Sequence, residues 1–270
     1  MTDIVIESYA ATGISNNATA ELGRVWLPPG YTLTGGGAYD LGRGPANTLT
    51  SCYPIRNRDG VYSGWAAAGR EPFPLAVYAI GIKVTRDGVP VKVEQQVFCA
   101  SSALVGEPGV SARLGAGWIG TGGGAQDNCA GNAAGNVLTS SYPLMGPDGK
   151  ICGWAANGRD HSLAEQARVT AFVIGIRGAD GVALDTHVVH GSSMMTGFPS
   201  VLVKAPRGDA VVAGGGALRG AGGQTLLLSA SCPVINERDG RLTGWYAARK
   251  VAPAAPPGAL TAYGVMLKAA

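Results

Sequence analysis

A chain of 270 residues, 46% hydrophobic and only 14% charged, is long enough to bury a sizeable core and too apolar to be disordered. Its formal net charge of +3 is mild, and no cluster of Lys and Arg with interleaved aromatics occurs, which argues against a nucleic-acid partner. No run approaches the roughly 18 apolar residues of a transmembrane helix, so no membrane span is expected.

The chain opens with Met1-Thr2-Asp3-Ile4-Val5-Ile6-Glu7. This is strand-like alternation rather than a basic start followed by an apolar run, so no signal peptide is expected. A cytoplasmic protein is implied, with unconventional export left open. Gly supplies 43 residues, about twice ordinary usage, without the three-residue period of collagen.

A long period governs the rest of the chain. Gly35-Gly36-Gly37-Ala38 leads to Leu49-Thr50-Ser51-Cys52-Tyr53-Pro54, then to Asp59-Gly60-Val61-Tyr62-Ser63-Gly64-Trp65, then to the apolar run Tyr78 to Ile82. The same landmarks return as Gly122 to Ala125, Leu138 to Pro143, Asp148 to Trp154 and Phe172 to Ile176. They return again as Gly214 to Ala217, a looser Leu228 to Pro233, Asp239 to Trp245 and Tyr263 to Leu267. The D-G-x-x-x-G-W copies start 89 and 91 residues apart. A fixed long period in which the landmarks keep their order is the mark of internal repetition. The units are about 1–86, 87–178 and 179–270.

Inside each unit the period is two. Tyr78, Ile80 and Ile82 point one way while Val77 and Ala79 point the other; both sets are apolar, so this strand is expected to be covered on both faces. Asp-Gly marks a tight hairpin turn. Earlier strands are expected near Asp3 to Ala10, Val91 to Ala100 and Val182 to Gly191, followed by second strands near Ala18 to Leu27, Val110 to Leu114 and Val201 to Lys204. A helical turn is conceivable only at Ser162 to Arg168. The prediction is an all-β chain: three Gly-rich repeats of about six strands around a pseudo-threefold axis, as a β-prism or a barrel of linked sheets, forming one domain over 1–270. The plan is similar to threefold β-prisms such as jacalin-like lectins and vitelline-membrane outer-layer proteins. That likeness is one of architecture, without a shared motif.

Five Cys (52, 99, 129, 152 and 232) show no C-x-x-C pairing or metal-type spacing, so buried free thiols and no metal or cofactor are expected. His187-x-x-His190 would put its imidazoles on opposite faces of a strand. Gly115-Ala116-Gly117-Trp118-Ile119-Gly120 satisfies G-x-G-x-x-G but is followed by strand-like sequence, which excludes the helix that a dinucleotide site needs.

Two readings stand for Trp65, Trp154 and Trp245: pillars over the Gly triplets, or platforms that stack on a sugar ring. Five residues after each stands a cation, Arg70, Arg159 or Lys250. The second repeat departs from its siblings at Gln126-Asp127-Asn128 with Asn136, and at Asn157-Gly158-Arg159-Asp160-His161. A repeat that breaks its own rule suggests a site. The functional expectation is a lectin-like protein binding carbohydrate or a similar small polar ligand at repeated shallow sites, through Trp65, Trp154, Trp245, Arg70, Asn157, Arg159, Asp160 and His161, with homo-oligomers possible. The alternatives are an enzyme with one site in the second repeat or on the pseudo-axis, and a structural, interaction or toxin component.

Overall fold

A computed structural model describes residues 3–15, 22–42, 48–70, 73–129, 136–160, 166–178, 181–220, 227–250 and 258–270, the side chains at 128–129, 219–220 and 250 excepted. Among these residues every regular element is a strand. The first repeat supplies β1 (Ile4–Ser15), β2 (Gly23–Trp26), β3 (Thr32–Asp40), β4 (Leu49–Arg56), β5 (Tyr62–Gly69) and β6 (Leu75–Arg86), followed by the short β7 (Val89–Val91). The second supplies β8 (Val93–Ser101), β9 (Gly109–Arg113), β10 (Ile119–Cys129), β11 (Asn136–Met145), β12 (Ile151–Asp160) and β13 (Ala167–Gly178). The third supplies β14 (Leu184–Ser192), β15 (Ser200–Lys204), β16 (Ala210–Gly220), β17 (Leu227–Ile235), β18 (Leu242–Lys250) and β19 (Gly258–Ala269). The expected helical turn falls partly at 162–165, outside the described residues; Ala167 and Arg168 belong to β13.

No repeat completes a sheet by itself. The sheet orders are β1-β6-β3-β17-β18-β15, with β7 on β6, then β2-β5-β4-β10-β13-β8, and β14-β19-β16-β11-β12-β9. Each sheet takes the first, sixth and third strands of one repeat and the fourth, fifth and second strands of another. The exchange runs in a circle: first with third, second with first, third with second. The seams are narrow, with Ala125 and Gln126 opposite Cys52 and Ser51, Ser140 and Ser141 opposite Ala217 and Gly216, and Ala230 and Ser231 opposite Tyr39 and Ala38. The sixth strands β6, β13 and β19 carry apolar residues on both faces and are buried over most of their length, as their sequence requires.

The seam strands β3, β10 and β16 carry the Gly triplets, and each glycine has its own reason. A Cβ on Gly36, Gly123 or Gly214 would lie 2.3–2.4 Å from the indole of Trp65, Trp154 or Trp245. A Cβ on Gly37, Gly124 or Gly215 would lie 2.3–2.4 Å from the carbonyl oxygen of Ser231, Cys52 or Ser141 across the seam. Thus one glycine admits a ring and the next admits a foreign backbone. The structural register also corrects the alignment of the triplets: Gly214, the first of its three, does the work of the central Gly36 and Gly123, because Ala213 takes the place of Gly35 and Gly122.

Each seam strand bulges just before these glycines, at Thr34, Thr121 and Val212, where the register with the sixth strand shifts. The three bulges are fully buried, and Thr34 is bonded to both of the others. Thr34 Oγ1 donates to Val212 O at 2.9 Å, and Thr121 Oγ1 donates to Thr34 O at 3.0 Å. Val212 has no hydroxyl, so the third side of this ring is apolar. A Cβ on Gly35 would stand 2.4 Å from that of Ala213.

The D-G-x-x-x-G-W motif is a hairpin between the fourth and fifth strands. Gly60, Gly149 and Gly240 take positive φ of 80°, 74° and 70° with nothing near a virtual Cβ, so backbone conformation alone selects glycine there. The second glycine is chosen by space: a Cβ on Gly153 or Gly244 would strike Ala112 O at 2.4 Å or Val203 O at 2.1 Å.

Gly123→Ala must push apart Phe172 O and the Trp154 ring and is expected to cost more than about 3 kcal/mol. Gly197→Ala, where a Cβ meets nothing, is expected to change stability by less than about 0.5 kcal/mol. Denaturant titration of the two variants checks the pair.

Candidate functional site

The three motif tryptophans are fully buried. Each indole lies on its glycine and donates its N–H within its own repeat. Trp154 Nε1 reaches Ser141 Oγ at 2.8 Å and Trp245 Nε1 reaches Ser231 Oγ at 3.0 Å; Trp65 Nε1 reaches Cys52 Sγ at 3.1 Å. With faces and N–H all occupied, none can stack on a ligand. The platform reading of Trp65, Trp154 and Trp245 is therefore corrected to that of core pillars.

The polar residues of the second repeat are brought together, but as fasteners. At the end of β12, Asn157 Nδ2 donates to Ser140 Oγ at 2.6 Å, and its carbonyl accepts from Thr139 Oγ1 at 3.2 Å. The buried Asn136 donates to Gly106 O at 3.1 Å and to Asp160 Oδ1 at 3.3 Å. Arg159 Nε stands 3.4 Å from Glu107 Oε1. The bonds of Asn136 and Arg159 bind the loop before β9 to the β11–β12 ladder, and those of Asn157 tie β12 to β11. Arg70 follows β5 in a different sheet, where its N–H donates to Thr48 O at 2.9 Å, so it does not join them. His161 and the side chain of Lys250 lie outside what is described.

At the opposite end of β12 lies a cleft of about 360 Å³, lined among others by Leu114, Trp118, Asp148, Lys150, Asp185 and Thr186. Three elements build it: the turn between β9 and β10, the D-G-x-x-x-G-W hairpin of the second repeat, and the start of β14. The turn is the G-x-G-x-x-G segment. Gly117 takes φ 73°, and Ile119 begins strand β10, not a helix. Trp118 is half-buried, edge-on to Phe98 at 6.1 Å, with the Arg177 guanidinium 4.1 Å over its ring. Arg177 also ties the turn down, donating from Nε to Gly117 O at 2.9 Å and from Nη2 to Ala116 O at 3.0 Å.

Polar groups line the rest. Lys150 pairs with Asp185, and its hydrogen bond is the main cause that holds the Asp185 carboxyl below its ordinary range. Asp148 accepts the Lys150 N–H at 3.0 Å, and Thr186 Oγ1 donates to Gly120 O at 3.0 Å. Arg113 Nη1 donates to Cys152 Sγ at 3.3 Å. The cleft thus joins an aromatic wall to carboxylates, an ammonium and a hydroxyl, which suits a small amphipathic polar ligand. Among the described residues no three His, Cys, Asp or Glu side chains gather as a metal site.

The same corner recurs with other residues. In the first repeat Tyr31 stands for Trp118 and Lys83 for Arg177, with the ammonium 4.0 Å from the ring centroid. Gln95, donating to Leu33 O, stands for Thr186. In the third repeat the aromatic gives way to Asp209, paired with His187 Nε2 at 3.2 Å. His190 lies instead near the Tyr263 ring, at 6.1 Å. A signal for this corner exists in the sequence, an aromatic directly after a turn glycine in Gly30-Tyr31 and Gly117-Trp118, but it lies outside the D-G-x-x-x-G-W motif and is absent at Gly208-Asp209.

The cysteines correct a further expectation. Cys52 and Cys232 are buried, and burial pushes both thiols up to about 12. Cys99 is exposed and Cys152 half-buried. No protein-family model matches this chain, and no curated protein matches its sequence. No helix among the described residues is long and apolar enough to cross a membrane.

Cys52→Ser gives Trp65 the hydroxyl acceptor used in the other two repeats and is expected to shift Tm by no more than about 3 °C in a thermal melt. In a Cys129→Ser background, a thiol reagent is expected to label Cys99 and Cys152 in the native protein, with Cys52 and Cys232 reacting only after unfolding.

Proposed function

We propose that the three sheets close about a pseudo-threefold axis as one β-prism-like domain, and that the protein is a lectin-like binding module. The circular exchange of strands between repeats supports the first part. The cleft beside Trp118 supports the second, and it is the single observation that carries the functional reading. An indole offers an apolar face to the C–H side of a sugar ring, while Asp148, Lys150 and Asp185 offer acceptors and donors to hydroxyls in the same cleft. The ligand class is carbohydrate or a similarly hydroxylated small molecule.

The binding site moves, relative to the expectation from sequence, from the motif tryptophans to the turn between the second and third strands. The corners at Tyr31 and Asp209 are related positions with different chemistry, so weaker or different ligands are expected there. A glycan array followed by calorimetry tests the proposal. A binding sugar is expected to lose at least about tenfold in affinity with Trp118→Ala, equal to about 1.4 kcal/mol, and nothing with Leu202→Ala, an exposed apolar control. Unchanged affinity in the Trp118 variant overturns the assignment of the site.

A further inference from the structure

A second pocket, of about 270 Å³, opens where the chain passes from the first repeat to the second. It is lined among others by Thr32, Ile82, Lys83, Val84, Val91 and Val93. Of these, Ile82 and Val84 are buried core residues and Val91 and Val93 pack half-buried against them. The pocket borders the Tyr31–Lys83 corner and the link carrying β7, and shares no lining residue with the Trp118 cleft.

The passage from the second repeat to the third is built on the same plan and shows what this space receives. Val93 pairs with Gly178 on β13, next to Glu94 opposite Arg177; Leu184 pairs with Ala269 on β19, next to Asp185 opposite Lys268. Leu184 is therefore the counterpart of Val93, and Val182 that of Val91. Leu184 and Val182 are buried, 6% and 5% exposed, where Val93 and Val91 are only half-buried. The third wall changes in the same sense: Ile119 starts β10 where Thr32 starts β3. At the second passage Val182 O closes onto Gly178, 2.2 Å from a virtual Cβ. Counted from the equivalent residues Val84 and Gly178, the first passage is three residues longer, with 85–92 before Val93 against 179–183 before Leu184. The shorter side chains of Thr32 and Val93, the longer link, and Val84 in place of the Gly178 onto which Val182 O closes leave open at the first passage a space that aliphatic side chains fill at the second.

We propose that this pocket binds a medium-length alkyl or acyl chain, whose methylenes take the place held by Leu184 and Val182 at the second passage. The walls are mostly aliphatic, with Thr32, Lys83 and Thr85 as the polar exceptions, and apolar surface left uncovered there is stabilised by removing it from water. The head group stays at the mouth. Lys83 stands there, but Glu7 is its ladder partner across β1 and β6, so the local charges oppose each other and the chain, not the head, carries the affinity. The proposal does not depend on the carbohydrate reading.

Calorimetry on the whole protein with hexanoate, octanoate and decanoate, and with 1-octanol as the uncharged probe, tests it. Affinity is expected to rise about fourfold per methylene until the pocket is full, with octanoate and 1-octanol alike. Methyl NMR shifts are expected at Val84, Val91 and Val93. The double variant Thr32→Ile/Val93→Leu, which copies the closed passage, is expected to keep or raise Tm and to weaken decanoate at least about tenfold. Three results overturn the proposal: no binding of decanoate at millimolar concentration, affinity that ignores chain length, or methyl shifts confined to other regions. The wild-type shifts decide the matter even if the double variant fails to fold.

Discussion

At the seam strands β3, β10 and β16 a side-chain carbon would stand 2.3–2.6 Å from an indole, a carbonyl oxygen or the Ala213 methyl. Those distances are shorter than any real contact between such atoms, and they set the constraint on which the rest of the structure depends. Removing the side chains lets a tryptophan lie against the strand from its own repeat and lets a strand of another repeat approach from beside it. Two buried threonines then join the three bulges through carbonyls of other repeats. The cost is the conformational freedom that glycine loses on folding. Three fully buried indoles, each with a satisfied N–H, offset that cost through large apolar burial.

From this approach comes the exchange of strands. A repeat whose third strand pairs with the fourth strand of another repeat cannot close its own sheet, so each sheet belongs to two repeats. Cross-seam aromatic pairs reinforce the joints: Tyr53 stacks on Phe172 at 5.5 Å and Tyr142 on Tyr263 at 5.8 Å, bridging over Gly124 and Gly215. At the third joint Cys232 takes the tyrosine's place opposite Tyr78, whose hydroxyl is pushed up to about 12, chiefly by burial. Stability in such an arrangement is shared rather than local, because each repeat's strands are finished by a neighbour's.

Where the constraint relaxes, the repeats diverge. The inner glycines and pillars keep their roles in all three copies. The turn between second and third strands does not: it carries Tyr31, Trp118 or Asp209, each held by a different partner. The passages between repeats differ likewise, one packed shut by Leu184 and Val182 and one open beside Val93. Both pockets lie at these corners, where side-chain size can change without disturbing the seam.

Much of the architecture is legible along the chain, because its causes are local or periodic. Alternation in Tyr78 to Ile82 marks a strand covered on both sides, Asp-Gly marks the hairpins, and the recurrence of Gly triplet and D-G-x-x-x-G-W marks the repetition. The pillar reading of the tryptophans is among the alternatives that the sequence itself offers. The partner of each strand is not legible: β4 could pair with β3 of its own repeat, yet it pairs with β10, where Gly124 admits Cys52 O. The candidate site is hidden for the same reason. Trp118 shares its cleft with Asp185 and Thr186 from the next repeat, and of the residues that look like a site when read in a row, Arg159 and Asp160 hold the loop before β9 while Asn157 ties β12 to β11. Sequence by itself determined the strands, the turns and their threefold recurrence, since these depend on residues within a few positions of one another. Tertiary structure alone decided which surfaces are filled and which stay open, since those depend on the combined volume of side chains brought together from distant parts of the chain.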